Sequence, residues 1–394
     1  MARRETMTSE ERVWAAIRLE KPDRVPIDIL AGPAFAQVTG HTVADYYFNL
    51  SAAQKWAMID KVWDYTGGWD MDMAGIVVES DPLDHLASKL MTVMAMGIKM
   101  KFPGEDLPPN YTAQAMEQEV MTLKDYDTIA EIGWQRFMDE DYRFRLMDDI
   151  TPEKVEAAMQ KGAAGLFDSI NRWKERGVVT LYPAYGCPLH PFFRFSVGRS
   201  MVRFMEDLRY HPTLVEKALK TVTREYIEQI IGGCKALNFK LCFIAEERAE
   251  AYFFPLPVFE RFWWPYTQEI VEAVWSEGIV TWFHLDQNWD KNIPYFKKLP
   301  RGSAILALDS TTNIFEAKKV LRGHLCLAGD VPPALMSLGK PEDMEAYCKK
   351  LIDEVGGDGG FILGTGCEMP TAVKLDNWRA LVQTGRNYEL SKKR

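Results

Sequence analysis

The chain has 394 residues, 47% hydrophobic and 26% charged, with a formal net charge of −9. That composition supplies a large core. An acidic chain without a lysine or arginine cluster lacks the cations that displace counterions from nucleic acid or anionic membrane. Six scattered cysteines (Cys187, Cys234, Cys242, Cys326, Cys348 and Cys367) form no Cys-x-x-Cys pair and read as reduced thiols of a cytoplasmic protein.

The N-terminus, Met1 to Arg18, is charged throughout and lacks the apolar centre of a secretory signal. No apolar run reaches the eighteen residues of a membrane-spanning helix. Arg24–Leu30 and Trp69–Val77 are the first candidate strands. Phe102–Asn110, with Pro103, Gly104, Pro108 and Pro109, reads as a surface loop. From Val178 a regular alternation begins. The runs Val178–Tyr185, Lys240–Glu246, Ile279–Asp286, Ser303–Asp309, Leu325–Val331 and Gly359–Gly366 are apolar on both faces, as strands covered by helices are. Between them, Pro212–Cys234, Pro257–Glu277, Asn313–Leu321 and Pro341–Val355 carry helical patterns. The last of these begins at a proline and stops before Gly356, the usual asymmetry of helix ends.

Six strand–helix units and two earlier strands predict a single (β/α)8 barrel over residues 1–394, with residues 1–65 as a helical extension packed on it. An open, doubly wound sheet is the rival. No Gly-x-Gly-x-x-Gly follows a strand, which weakens its dinucleotide-binding form.

In such barrels the chemistry gathers at the C-terminal strand ends. Here those ends carry Glu246-Glu247, His284-x-Asp286, Asp309, Asp330 and Cys367-Glu368. A histidine, a cysteine and carboxylates are the ligand types of a catalytic zinc. His284 and Asp286 share a strand face, whereas Cys367 lies 83 positions after His284 and only the fold can bring it near. A hydrogen-bonded structural histidine and a small buried thiol explain the same residues without a metal. Asp309 and Asp330 equally suit helix caps. Trp263, Trp264, Trp282 and Trp289 flank these ends and suit an aromatic-ligand wall, though barrel–helix packing explains most of them as well. Tyr185, in Tyr185-Gly186-Cys187-Pro188, follows another strand run.

Several segments resemble the uroporphyrinogen-decarboxylase-like proteins, a (β/α)8-barrel superfamily. They are Met7–Val13 with Pro22-Asp23-Arg24-Val25-Pro26, Phe259–Phe262 with Pro265-Tyr266, the His284-x-Asp286 strand end, Leu327–Val331, and Gly364–Pro370. The Arg-Gln-Ala-Gly-Arg-Tyr segment with which true decarboxylases grip their substrate's carboxylates is not found. The resemblance is to the corrinoid-dependent methyltransferase branch, where zinc sits on a His-x-Cys pair and a distant cysteine. His284 matches the histidine and Cys367 the distant cysteine, while Asp286 stands where the first cysteine would be. The resemblance implies Glu246, His284 and Cys367 as metal ligands, with Glu247 and Asp286 catalytic or completing the coordination, and Trp282, Trp289 and Tyr185 at the substrate.

Two methyltransferase roles follow from it. One passes a methyl group from a methylated corrinoid to a thiol such as coenzyme M. The other takes it from a small donor, such as an aryl methyl ether, to a Co(I) corrinoid. Carboxylate in place of thiolate makes a harder, more Lewis-acidic zinc, which favours the ether. No Asp-x-His-x-x-Gly corrinoid anchor occurs, so the corrinoid is expected on a separate partner protein. A metal-free decarboxylase, which would need arginines in the mouth, and a non-catalytic binding barrel are the competing readings.

Overall fold

The computed structural model of the protein describes residues 5–72, 77, 85–148, 150–181 and 189–389. It is an α/β fold on parallel strands, which we number β1 Asp28–Ile29, β2 Met71–Asp72, β3 Val179–Thr180, β4 Leu241–Glu246, β5 Val280–Leu285, β6 Ala304–Leu308, β7 Cys326–Val331 and β8 Phe361–Thr365. Parallel pairing runs through β4-β5-β6-β7-β8 and through β1-β2-β3. A parallel bridge between Ile27 and Leu363 joins β1 to β8, and another between Leu189 and Ala245 ties the segment downstream of β3 to β4. The six later strand expectations coincide with observed strands except that Val178–Tyr185 is strand only at β3; its last four residues lie outside the described ones. Within residues 1–65, β1 belongs to the sheet and only the flanking segments are helical or irregular.

Period-2 alternation gives the longer strands β4 to β8 two apolar faces over most of their length. Leu241, Val280, Trp282, Ile305, Ala328 and Ile362 pack in an inner cluster. Ile29, Ile244, Phe283, Leu285, Leu306, Leu327 and Leu363 pack in an outer cluster against the helices. Helix α1 (Ser9–Ile17) starts on a Thr8–Glu11 capping box and inserts Val13, Ala16 and Ile17 into the inner cluster. It is held by a buried ionic knot. Asp70, fully buried, accepts from Ser9 Oγ at 2.8 Å, Arg12 at 2.7 Å, Arg24 at 2.6 Å and the Ile27 N–H at 2.9 Å.

Two helix expectations shift for local reasons. The helix expected over Pro212–Cys234 runs on to Leu237 and ends where Asn238 turns left-handed. The helix expected over Pro257–Glu277 is two, Leu256–Phe262 and α2 (Trp264–Ser276). Pro265, which has no N–H and crowds the preceding turn, sits in the first turn of the second. Asn313 caps α3 (Ile314–Leu321) by accepting from the N–H groups of Phe315 and Glu316. Asp309 is therefore not that helix's cap, and instead accepts from Gln287 N and Thr311 N. Asp330 accepts from the Tyr347 hydroxyl at 2.8 Å, and burial pushes its carboxyl up to about 6. Among the described residues no helix is long and apolar enough to cross a membrane, and the five described cysteines are free.

Candidate metal centre

On β5, Val280 and Trp282 face the inner cluster while Phe283 and Leu285 face the outer one. Alternation therefore turns His284 inward, directly beyond Trp282, and Asp286 follows it at the strand's C-terminal end. Cys367 stands on the turn after β8, three strands away. The fold brings the three together. His284 Nε2 lies 3.3 Å from Asp286 Oδ1, Cys367 Sγ lies 3.6 Å from His284 Nε2, and Cys367 Sγ lies 3.3 Å from Asp286 Oδ2.

These separations test the fit of a metal. Tetrahedral zinc with Zn–N near 2.05 Å, Zn–O near 2.0 Å and Zn–S near 2.3 Å requires donor separations of about 3.3 Å (N–O), 3.6 Å (N–S) and 3.5 Å (S–O). The N–S distance meets its value. The N–O value is met through Asp286 Oδ1, and the S–O distance comes within about 0.2 Å of its value through Oδ2, so the two carboxylate oxygens face different partners. One ligand atom from each residue lies within 4.8 Å of the others. Among the described residues His284 Nδ1 is buried without a hydrogen-bond partner, and Asp286 Oδ1 has only the His284 ring beside it. The electrostatics agree. Asp286 and Cys367 hold the His284 imidazolium well above the ordinary histidine range against the opposing effect of burial, and His284 holds Asp286 low. Burial pushes the Cys367 thiol up. A metal held by these groups would take the place of the proton that this balance favours on His284.

Glu246 takes a different place. Its backbone is level with Leu285, whose side chain faces the outer cluster, so alternation sends the Glu246 carboxylate outward as well. It is fully buried there. Oε1 accepts from the N–H of Arg248 at 2.9 Å and of Ala249 at 3.2 Å, and Oε2 accepts from the Trp263 indole at 2.7 Å. His190 Nδ1 lies 3.5 Å from Oε2. With both oxygens committed to a loop and a helix, Glu246 is not placed with His284 and Cys367, and the expectation of it as a ligand gives way to Asp286, whose oxygens do lie beside them. Glu247, one residue on, faces the other way. It senses the charges of Asp286 and His284, and burial followed by Asp286 pushes it up to about 7.

Trp282 and Trp289 are both fully buried. Trp282 fills the inner cluster beneath His284. The Trp289 ring packs between Phe259, Trp263 and Phe296, and its N–H donates to the Asp286 carbonyl at 2.7 Å. Neither ring is placed as an open wall, since both are spent on packing. Phe243, on the inner face of β4, stands 5.8 Å from His284 between ring centroids. Tyr185 and Cys187 lie outside the described residues.

Sequence reasoning missed two carboxyls, Asp28 and Asp72, and gave a third, Glu368, no role. Asp28 is 3% exposed, and burial followed by Asp72 raises it well above the usual range, against the pull of His284. Asp72 is likewise 3% exposed. Glu368, beside Cys367, is pushed up to about 7 by burial and feels His284; its carboxylate lies against Gly32, where a Cβ would collide with it. One signal was available for Asp28: a lone charge between Ile27 and Ile29 in an otherwise apolar strand.

Comparison with known proteins accords with this geometry. A curated relative, the methylcobamide:CoM methyltransferase MtbA of Methanosarcina mazei, is 25% identical over 130 residues, covering 33% of this chain and 37% of that protein. The chain thus aligns with little more than a third of the relative's length. A solved structure, a methyltransferase from Methanosarcina mazei, superposes with a TM-score of 0.66 at 18% identity, covering 96% of this chain and 98% of that one, a likeness of fold. Residues 142–388, more than half of the chain, match the family described as uroporphyrinogen decarboxylase (URO-D), and the chain belongs to that family.

Proposed function

We propose that this protein is a corrinoid-dependent methyltransferase built on a closed (β/α)8 barrel, with a zinc ion held by His284, Asp286 and Cys367. The observation that carries the reading is the meeting of an imidazole, a carboxylate and a thiol from two distant strand ends, one ligand atom of each within 4.8 Å of the others. The circuit of parallel pairings from β3 through β1 and β8 to β4, with the Leu189–Ala245 bridge, supports closure. In that barrel all three donors sit at the C-terminal mouth.

The direction we favour is demethylation of a small methyl donor, with an aryl methyl ether as substrate and the corrinoid of a separate protein as acceptor. The donor set is one thiolate, one imidazole and one carboxylate, harder than a thiolate-rich site, and zinc bound there would polarise the ether oxygen. The corrinoid acceptor would supply a reduced cobalt that takes the methyl carbon, so that the C–O bond would break with its electron pair left on oxygen. Glu247, protonated near neutrality, supplies the proton that turns the leaving oxygen into a free hydroxyl. Trp289 steadies Asp286 through its N–H bond to the Asp286 carbonyl. Trp282 supports His284 from below.

The name of the curated relative favours a second reading, transfer from a methylated corrinoid to a thiol. An anionic thiol such as coenzyme M would meet acids at the mouth, Asp28, Asp72, Glu247 and Glu368, and whichever of them is ionised would repel it. The same carboxyls, in place of arginines, weigh against a decarboxylase acting on a polycarboxylate. The deciding experiment incubates the purified protein with a reduced corrinoid protein and a methoxyarene. Conversion of the Co(I) spectrum to methyl-Co(III), with release of a free phenol, is the expected outcome. Methylation of a thiol from methylcobalamin, with methoxyarenes untouched under reducing conditions, would overturn the direction proposed.

A further inference from the structure

The turn that follows β6 carries none of the three metal donors, yet it touches the turns that carry Asp286 and Cys367. On one side stands the turn after β5. The Asp309 carboxylate accepts from Gln287 N at 2.9 Å through Oδ2, and from Thr311 N at 2.9 Å and Thr311 Oγ1 at 2.6 Å through Oδ1. The buried Thr312 hydroxyl donates to the Gln287 carbonyl at 2.9 Å and accepts from Trp289 N at 2.9 Å. Asn288 Nδ2 donates to the Thr311 carbonyl at 2.8 Å, and Asn313 N donates to Asp290 Oδ1 at 2.9 Å. The two turns are thus laced together from the residue after Asp286 onward.

On the other side stands the turn after β8. Gly366, next to Cys367, lies so close that a Cβ there would come 3.1 Å from Asp309 Cα, 3.2 Å from Ser310 N and 3.4 Å from the Asp330 carbonyl oxygen. Those are backbone atoms, which cannot swing aside as the end of a flexible side chain does. Gly366 N donates to the Val331 carbonyl at 3.0 Å, which ties this turn to β7 as well. The turn after β6 therefore lies between the two ligand-bearing turns. It is also where the backbone is forced. Gln287 has φ +72°, in the left-handed region that a side chain disfavours. Such a conformation persists where the surroundings over-determine it, and Asp309 and Thr312 grip the N–H and the carbonyl of that same residue.

We infer that Asp309 is a positioning residue of the metal centre: together with Thr312 and the close approach at Gly366, it fixes how far Asp286 stands from Cys367. The inference rests on the metal site proposed above and deepens it. Asp286 and Cys367 come from strands with β6 and β7 between them, so their separation is set by whatever fills that gap. A ligand whose supporting contacts are lost binds its metal more weakly, even when every donor atom is still present.

The test is zinc affinity of the purified full chain, read by competition with a chromophoric chelator, beside urea unfolding of the metal-free protein. Asp309→Ala removes the acceptor of Gln287 N–H, and Gly366→Ala forces the turns apart; neither removes a donor atom. Each is expected to weaken zinc binding by about ten- to a hundredfold, as when a group that orients a ligand is lost. A merely structural role would lower unfolding stability and leave the zinc affinity of the folded protein as it was, so native-like affinity in the variants overturns the inference. A second arm requires no zinc. Crystal structures of the metal-free native and variant proteins are expected to show Asp286 Oδ2 and Cys367 Sγ drawn apart from their 3.3 Å contact. An unchanged separation overturns the inference as well. If Asp309→Ala does not fold, Gly366→Ala carries both arms. A native protein that binds no zinc would sink the metal reading, and the metal-free structures would still decide this one.

Discussion

Replacing Cys367 by alanine removes one of three protein ligands while leaving the fold alone. Cys367 is half-buried on the turn after β8, and its recorded side-chain partners are His284 and Asp286. Losing a small, partly exposed side chain there should change the metal-free stability by less than about 1 kcal/mol. Metal affinity should respond far more. Structural zinc held by four ligands binds with about 10–16 kcal/mol, so one ligand is worth roughly 3–4 kcal/mol, or on the order of a hundred- to a thousandfold in affinity. Native protein in zinc at a hundredfold excess over its dissociation constant should gain about 2.7 kcal/mol of stability, and the variant at the same concentration almost none. Competition against a chromophoric chelator gives the affinities. Denaturant unfolding with and without zinc gives the linkage, and circular dichroism checks that the fold survives. A Cys367→Ala protein that holds zinc as tightly as the native one, or a native protein whose unfolding is indifferent to zinc, would refute the assignment of these ligands.

Two further outcomes are expected away from the metal. Asp70→Asn leaves Arg12 and Arg24 buried with their shared anion gone, and should lower unfolding stability by about 3–5 kcal/mol in urea titrations; a loss under 1 kcal/mol would show that the knot is dispensable. Glu246, pushed up to about 8 by burial, favours the neutral form in the fold, so its contribution is complete below about pH 4.5 and is lost as pH rises towards 8. In that window the native protein should lose up to about 1.4 kcal/mol per pH unit relative to Glu246→Gln, and parallel stability–pH curves for the two proteins would contradict the buried-acid account.

The local sequence determines much of this protein. Strands apolar on both faces specify a parallel sheet between helices, because each face must meet another apolar layer. The spacing of His284 and Asp286 places both on one face, since side chains alternate along a strand. Asn313 and Pro265 fix helix starts through short-range bonding and sterics. What lay beyond the sequence depended on which distant strand ends become neighbours. Cys367 reaches His284 only because successive pairings carry β8 round to β5. Glu246 and Glu247 look interchangeable in the chain, yet alternation at the end of β4 sends one to Trp263 and the other to the mouth. Asp28 acquires its meaning only from the fold, where burial, Asp72 and His284 act together on an unremarkable strand residue. Hydrogen bonding and periodicity act over a few residues and can be read along the chain, whereas burial and electrostatic coupling depend on the whole fold.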